Sequence, residues 1–203
     1  MTSIISIPKT ILLNFGALKK QFLKNELIFK EHTTANYFYC IESGMVKMNN
    51  FNDDGKEFIQ GIFYEGQSFG EPPLFINTTY PANAIAITDV TLLVLSKNKL
   101  FDLLQQNQDI HLMITTNLAK RLHYKAIIAS EISSQEPEHR ILRYFDYLKK
   151  ENNSNTTKFS YKINHTRQQI ADILGLRVET VIRGIKNLEK NKELQIIKRK
   201  VFR

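Results

Sequence analysis

The chain has 203 residues, 42% of them apolar, a net charge of +8 and a single cysteine. That length suits one large domain or two small ones with real cores, and the lone Cys40 excludes a disulfide or a cysteine-ligated cluster within one subunit. No stretch approaches the ~20 apolar residues of a membrane span and no basic leader precedes a long apolar run, so a cytoplasmic protein with no membrane partner is expected.

Residues 4–30 mix short apolar groups with Lys pairs, and Ile11, Leu12, Phe15 and Leu18 at helical spacing predict a short helical lead-in. From Leu27 to about Leu95 the pattern turns to short strands. Tyr37–Ile41 ends at Glu42-Ser43-Gly44, Met45–Phe51 and Lys56–Phe63 flank the hairpin signal Asp54-Gly55, and Ala84–Leu95 turns at Asp89. Many short strands divided by turn residues predict a barrel or jelly roll. From Asp109 to Ile132 no Gly or Pro interrupts a long helix. Its Ile114, Leu118, Leu122, Ala129 and Ile132 recur at three-to-four or seven-residue intervals, a seam for a partner helix or for the β-roll. Pro137 ends that helix and suits the first turn of the next, which runs amphipathically over 139–150 through Ile141, Leu142, Phe145 and Leu148. Residues 151–157 form a polar loop.

Thr166 and Gln169 carry a capping-box signature, so a helix starts there and buries Ile170, Ala171 and Leu174. Gly175 suits a left-handed stop and a sharp turn. A second helix from about Val178 turns Val181, Ile185 and Leu188 inward and Glu179, Thr180, Arg183, Lys186 and Asn187 outward. Short helix, tight turn and basic-faced helix make a helix-turn-helix. An exposed Arg can pair with guanine and a carboxylate can accept from cytosine, so Glu179 and Arg183 are candidate base readers; a solvated i, i+4 ion pair is the alternative. Gln195–Ile197 and Val201-Phe202 around Lys198-Arg199-Lys200 predict a terminal hairpin, a wing with a basic tip. Charge supports this reading. Residues 137–203 hold 16 Lys/Arg against 7 Asp/Glu, whereas residues 1–136 hold 12 against 13. All of the positive excess lies with the helix-turn-helix, as a phosphate-binding surface requires.

Thr166-Arg167-Gln168, Ile170-Ala171, Gly175, Glu179-Thr180-Val181, Arg183 and Leu188-Glu189 together resemble the DNA-binding motif of the catabolite-activator/FNR superfamily of bacterial transcription regulators. Val178 stands where catabolite activators carry a base-reading Arg, Ile182 replaces a residue often polar, and Arg177 occupies the usual Ser/Thr cap. Upstream, Tyr39-x-Ile41-x-x-Gly44-x-Val46, Asp54-Gly55 and Gly66-x-x-Phe69-Gly70-Glu71 resemble the family's cyclic-nucleotide-binding-type β-roll. The resemblance implies an α+β chain: a β-roll sensor over 1–108, a dimerisation helix over 109–133, a hinge at 134–136 and a winged helix-turn-helix over 137–203. It further implies a homodimer on palindromic double-stranded DNA. Thr166, Arg167, Gln168, Arg177, Thr180, Lys186 and the wing's Lys198, Arg199 and Lys200 would meet phosphates, while Glu179 and Arg183 would meet base edges. In relatives the loop matching 151–157 can touch RNA polymerase, which makes that enzyme a further candidate partner.

The effector region departs from the cyclic-AMP binders. Where they place an Arg-Ser pair for the cyclic phosphate this chain has Pro81-Ala82, and where they offer Thr-Ser to adenine it has Lys125-Ala126. A candidate pocket comprises Phe69, Gly70, Glu71, Pro81, Ala82, Arg121 and Lys125. Glu71 is either a ligand acceptor or a structural one, and Arg121 and Lys125 either approach an anion or snorkel to solvent. No cofactor is expected. Cyclic AMP in its usual pose lacks its phosphate partners, an iron–sulfur cluster lacks cysteines, and no pattern marks His32, His111 or His123 as a haem ligand. A different small molecule, or none, is left open. No nucleophile–base pair, metal-ligand spacing or phosphate-cradling Gly loop points to an enzyme. The rival reading is a ligand-sensing module whose basic winged helix binds RNA or a protein.

Overall fold

The computed structural model describes residues 6–132, 136–151 and 157–203. The chain divides into two compact units, Ile4–Arg121 and Leu122–Arg203, with the division inside one long helix. The first unit begins with a short helix α1 (Lys9–Asn14), then strands β1 (Leu18–Phe22), β2 (Leu27–Phe29), β3 (Tyr37–Ser43), β4 (Val46–Phe51), β5 (Glu57–Phe63) and β6 (Ser68–Phe69). A single helical turn α2 (Pro72–Phe75) leads to β7 (Asn83–Ala86) and β8 (Val90–Ser96), followed by α3 (Lys97–Gln106) and the long α4 (Gln108–Ile132). The strands form two antiparallel four-stranded sheets, ordered β1-β8-β3-β6 and β2-β7-β4-β5. This is the expected jelly roll.

Why these strands pack is plain from their side chains. β3 and β8 are the most apolar segments and lie side by side at the centre of one sheet, burying Phe38, Ile41, Leu92, Leu93 and Leu95. Each such side chain contributes about 1.5–3 kcal/mol on burial. Aromatic rings fill the space between the sheets, with Phe29 stacked on Tyr80 at 3.8 Å and Tyr39 on Phe69 at 5.1 Å. The turn from β3 to β4 requires Gly44: its φ is +90°, and a Cβ there would lie 2.3 Å from the Asp89 carbonyl oxygen. Cys40 is buried in β3, and desolvation pushes its thiol up to about 11. It is an unreactive core residue.

The helical lead-in ends sooner than the spacing implied. Leu18 opens β1 and pairs with Val94 of β8, so the ladder overrides the local helical pattern. α3, which local patterning did not announce, packs Leu100, Leu103 and Leu104 into the same core.

The second unit holds the end of α4, then α5 (Pro137–Glu151), α6 (Arg167–Leu174), α7 (Val178–Lys190) and a hairpin of β9 (Gln195–Ile197) and β10 (Lys200–Phe202). Ile141 and Phe145 of α5, Ile170 and Leu174 of α6, Val181, Ile185 and Leu188 of α7, and Val201 of β10 are among its buried side chains. Arg203 closes the unit: Nε and Nη2 donate to the Asp146 carboxylate at 2.5 and 3.2 Å, and Nη1 donates to the Glu193 carbonyl at 2.8 Å. Residues 134 and 135 of the expected hinge and 152–156 of the expected polymerase-touching loop lie outside the described residues.

Candidate nucleic-acid interface and effector region

Local chemistry fixes α6 at both ends. The Thr166 hydroxyl accepts from the Gln169 backbone N–H at 3.1 Å, and the Gln169 side chain accepts from the Thr166 N–H at 2.9 Å, completing the capping box. Gly175 takes the left-handed conformation at φ +65°, and the Leu176 N–H returns to the Ala171 carbonyl at 2.9 Å. The chain then re-enters a helix at Val178. Arg177 stands at the N-cap of α7 without a side-chain capping bond.

α7 is held against α5 by its small residue. A Cβ at Gly184 would lie 2.9 Å from Ile141 Cδ1, so any larger residue would have to displace the end of that side chain. Beside it, Asn187 Nδ2 donates to Glu138 Oε1 at 2.7 Å, which turns Asn187 towards α5. Glu179, Ile182, Arg183 and Lys186 are left exposed on the outer face, with Thr180 half-buried at its edge. Among the described residues no ion pair links Glu179 to Arg183, although the two lie four residues apart on the exposed face.

A cleft of about 300 Å³ opens between the start of α6 and the hairpin. Lys162, Arg167, Arg199 and Lys200 line it, together with Asn164 and Thr166. Four cations around one concavity make a seat for an anion. Lys162 and Asn164 belong to this cleft although no motif marked them; the excess of cations over 137–203 was the only sequence signal for Lys162, and Asn164 had none. Burial lowers the pKa of Arg167, consistent with its half-buried place in the wall. Gln168 differs, since its Nε2 donates to the buried Asp172 at 2.8 Å and leaves only its second amide hydrogen for a phosphate. His165 lines the same cleft. Its Nδ1 is hydrogen-bonded to the Tyr144 hydroxyl at 2.8 Å, and burial lowers its pKa to about 4, so the ring is neutral.

The hairpin turns at Lys198 and Arg199, with φ of +46° and +64°. Two successive left-handed residues are the signature of a tight primed turn, normally built from Asn-Gly. Here two long cations occupy it.

In the β-roll the structure joins Phe69 and Glu71 with Arg121 of α4. Glu71 is 0% exposed, and its Oε1 accepts from Arg121 Nη1 at 2.7 Å and from the Ser68 hydroxyl at 3.2 Å. Arg121 Nη2 also donates to the Ser68 carbonyl, and the guanidinium lies over Phe63 at 4.9 Å. Glu71 Oε2 is buried without a partner among the described residues. Of the two alternatives at Arg121, the pairing with Glu71 replaces snorkelling to solvent. Ser68 and Phe63 belong to this cluster although sequence patterning did not mark them. Ala82 is buried and Pro81 exposed, with the Pro81 carbonyl accepting from Asn50 Nδ2 at 2.8 Å. Lys125 is exposed and belongs to the other compact unit.

The expected helix seam divides. Ile114 is 1% exposed within the β-roll core and Leu118 packs against that core, so these two face their own sheet. Leu122 is 71% exposed and Ala129 is also exposed, while the side chain of Ile132 lies outside the described residues. Leu112, Thr115, Ala119, Leu122, Ala126 and Ala129 are all exposed at alternating three- and four-residue intervals. This is the heptad stripe of α4 that its own core leaves uncovered.

A β-roll, one long helix and a basic winged helix-turn-helix define a DNA-binding transcription regulator, a non-enzymatic class. Residues 19–107 match the cyclic nucleotide-binding domain. The cAMP-activated global transcriptional regulator CRP of Haemophilus influenzae is 30% identical over 173 residues, covering 85% of this chain and 77% of that protein. The anaerobic regulatory protein of Bacillus subtilis is 32% identical over 97 residues, 47% of this chain and 41% of that one. In fold, the c-di-GMP-responsive global regulator CLP of Xanthomonas campestris superposes with a TM-score of 0.76 at 24% identity, covering 96% of this chain and 98% of that one. A CooA variant of Carboxydothermus hydrogenoformans superposes with a TM-score of 0.78 at 18% identity, covering 98% and 88%. The chain belongs to the CRP/FNR family of transcription regulators, whose members bind DNA as dimers. Among the described residues no helix is long and apolar enough to cross a membrane.

Proposed function

We propose that this chain binds a palindromic operator as a homodimer, with α7 in the major groove and the β9–β10 wing on the adjacent backbone. The observation that carries the reading is the outer face of α7, where Glu179 and Arg183 are exposed and unpaired with each other, beside the four-cation cleft. Arg183 donates to a guanine edge and Glu179 accepts from a cytosine amine. Arg167, Lys162, Arg199 and Lys200 hold a phosphate in the cleft, with Thr166 at its rim. Arg177, Thr180, Lys186 and Lys198 bear on the flanking phosphates. Gln168 contributes its one free amide hydrogen. The partner helix lies along Leu112, Thr115, Ala119, Leu122, Ala126 and Ala129, because Ile114 and Leu118 are already occupied by the β-roll.

DNA binding in this reading does not depend on cyclic AMP. Pro81-Ala82 offers no charge to a cyclic phosphate, and Arg121 already occupies one oxygen of Glu71. The relative named for cAMP therefore does not name the effector of this chain.

The test is selection of random duplex DNA by the purified protein, with and without cyclic AMP. The expected outcome is one enriched palindrome, the same in both arms. Arg183→Ala should lose about 1–3 kcal/mol of discrimination at one base pair of each half-site, whereas Arg167→Ala should weaken all duplexes alike. Unchanged discrimination in Arg183→Ala would overturn the base-reading assignment.

A further inference from the structure

Ile182 is the one apolar side chain among the exposed residues of α7, at 42% exposure. It lies three residues after Glu179 and four before Lys186, so it shares their side of the helix, and it is adjacent in sequence to Arg183. Its neighbours Val181 and Ile185 turn inward and are buried, so the apolar stripe of the helix is already complete without it. A lone isoleucine elsewhere on a surface would call for no explanation. Here it stands among the charged groups that face DNA, where a polar residue would offer a hydrogen bond and a hydrocarbon cannot.

The major groove presents donors and acceptors on every base pair but only one apolar group, the C5-methyl of thymine. A branched hydrocarbon pressed against any other edge would strip water from an amine or a ring nitrogen and return no bond. We propose that Ile182 is a third base-reading residue, which selects thymine by packing on its methyl group next to the base pair read by Glu179. This rests on α7 being the base-reading helix. Burying one methyl-sized group contributes about 0.8 kcal/mol, which is about fourfold in affinity. A dimer reads two half-sites, so the symmetric change should approach tenfold or slightly more, on the order of the product of the two.

The methyl can be removed without touching a hydrogen bond. In the duplex selected by the wild-type protein, each thymine is replaced in turn by deoxyuridine, symmetrically in both half-sites, and affinity is measured for the wild type, Ile182→Ala and Ile182→Ser. The expected result is one position where deoxyuridine weakens the wild type about tenfold and leaves both variants unaffected, with thermal melting of the free variants unchanged. If no position responds in the wild type, if the variants respond as strongly, or if the half-site contains no thymine within reach, the proposal is overturned while base reading by α7 stands. A wild-type protein with no preference for any duplex would instead overturn the base-reading helix itself, and this proposal with it.

Discussion

His165 sits one residue before the cap of α6, and burial lowers its pKa from the ordinary 6.5 to about 4. The unfolded chain binds that proton more readily, so the associated stability is complete above pH 6.5 and is lost as pH falls towards 4. The span amounts to up to about 3 kcal/mol. Thermal melts across pH 4–7 should show this slope, and His165→Gln, which keeps a partner for Tyr144, should flatten it. Glu71 makes a second prediction at this scale. Its partner Arg121 is 30% exposed, and truncating one member of such a pair leaves the other buried and uncompensated. Arg121→Ala should cost about 3 kcal/mol in thermal or denaturant unfolding; an unchanged midpoint would mean that the pair holds nothing together. This contact joins residues 50 positions apart, and for that reason the sequence left two readings of Glu71 and Arg121 standing. Burial and pairing are properties of the folded neighbourhood, and no local pattern announces them.

Elements were legible where their determinants are local. The capping box of α6 and the left-handed Gly175 are each written within four residues, and both stand in the structure where the sequence placed them. β1 was not legible, because Leu18–Phe22 is almost wholly exposed and exists as a strand only by pairing with β8. The heptad of α4 was half legible: periodicity revealed the apolar positions, but only the fold shows which of two stripes the β-roll takes. The wing tip is the converse case, a turn whose residues argue against it. Lys198 and Arg199 both carry a Cβ into the left-handed region, which costs roughly 1–2 kcal/mol per residue. The double variant Lys198→Asn with Arg199→Gly should therefore raise the unfolding midpoint by an amount equivalent to about 1–2 kcal/mol, while weakening binding to every duplex alike. A calorimetric scan beside a binding isotherm checks both signs.

For the whole molecule, charge and symmetry set the behaviour. The excess of cations in residues 137–203 means that affinity for the operator should fall steeply with salt, with a slope set by the number of phosphates held. Dimerisation belongs to the same scale. Leu122 is 71% exposed on α4, and a second copy is the proposed cover. Leu122→Glu should yield a monomer by sedimentation, with its fold intact and its affinity for the palindrome reduced at least a hundredfold, since two half-sites would then be bound separately. A dimer that survives this change would place the partner on another face.

The left-handed wing tip has a consequence for anyone who evolves this protein in the laboratory. A library of variants screened for heat resistance alone will favour replacing Lys198 and Arg199, since almost any route to Asn-Gly relieves the turn. The same step strips two of the positive groups proposed to hold DNA. A hardier descendant chosen without DNA present should thus be a poorer regulator, and one chosen on DNA should keep its strained cations.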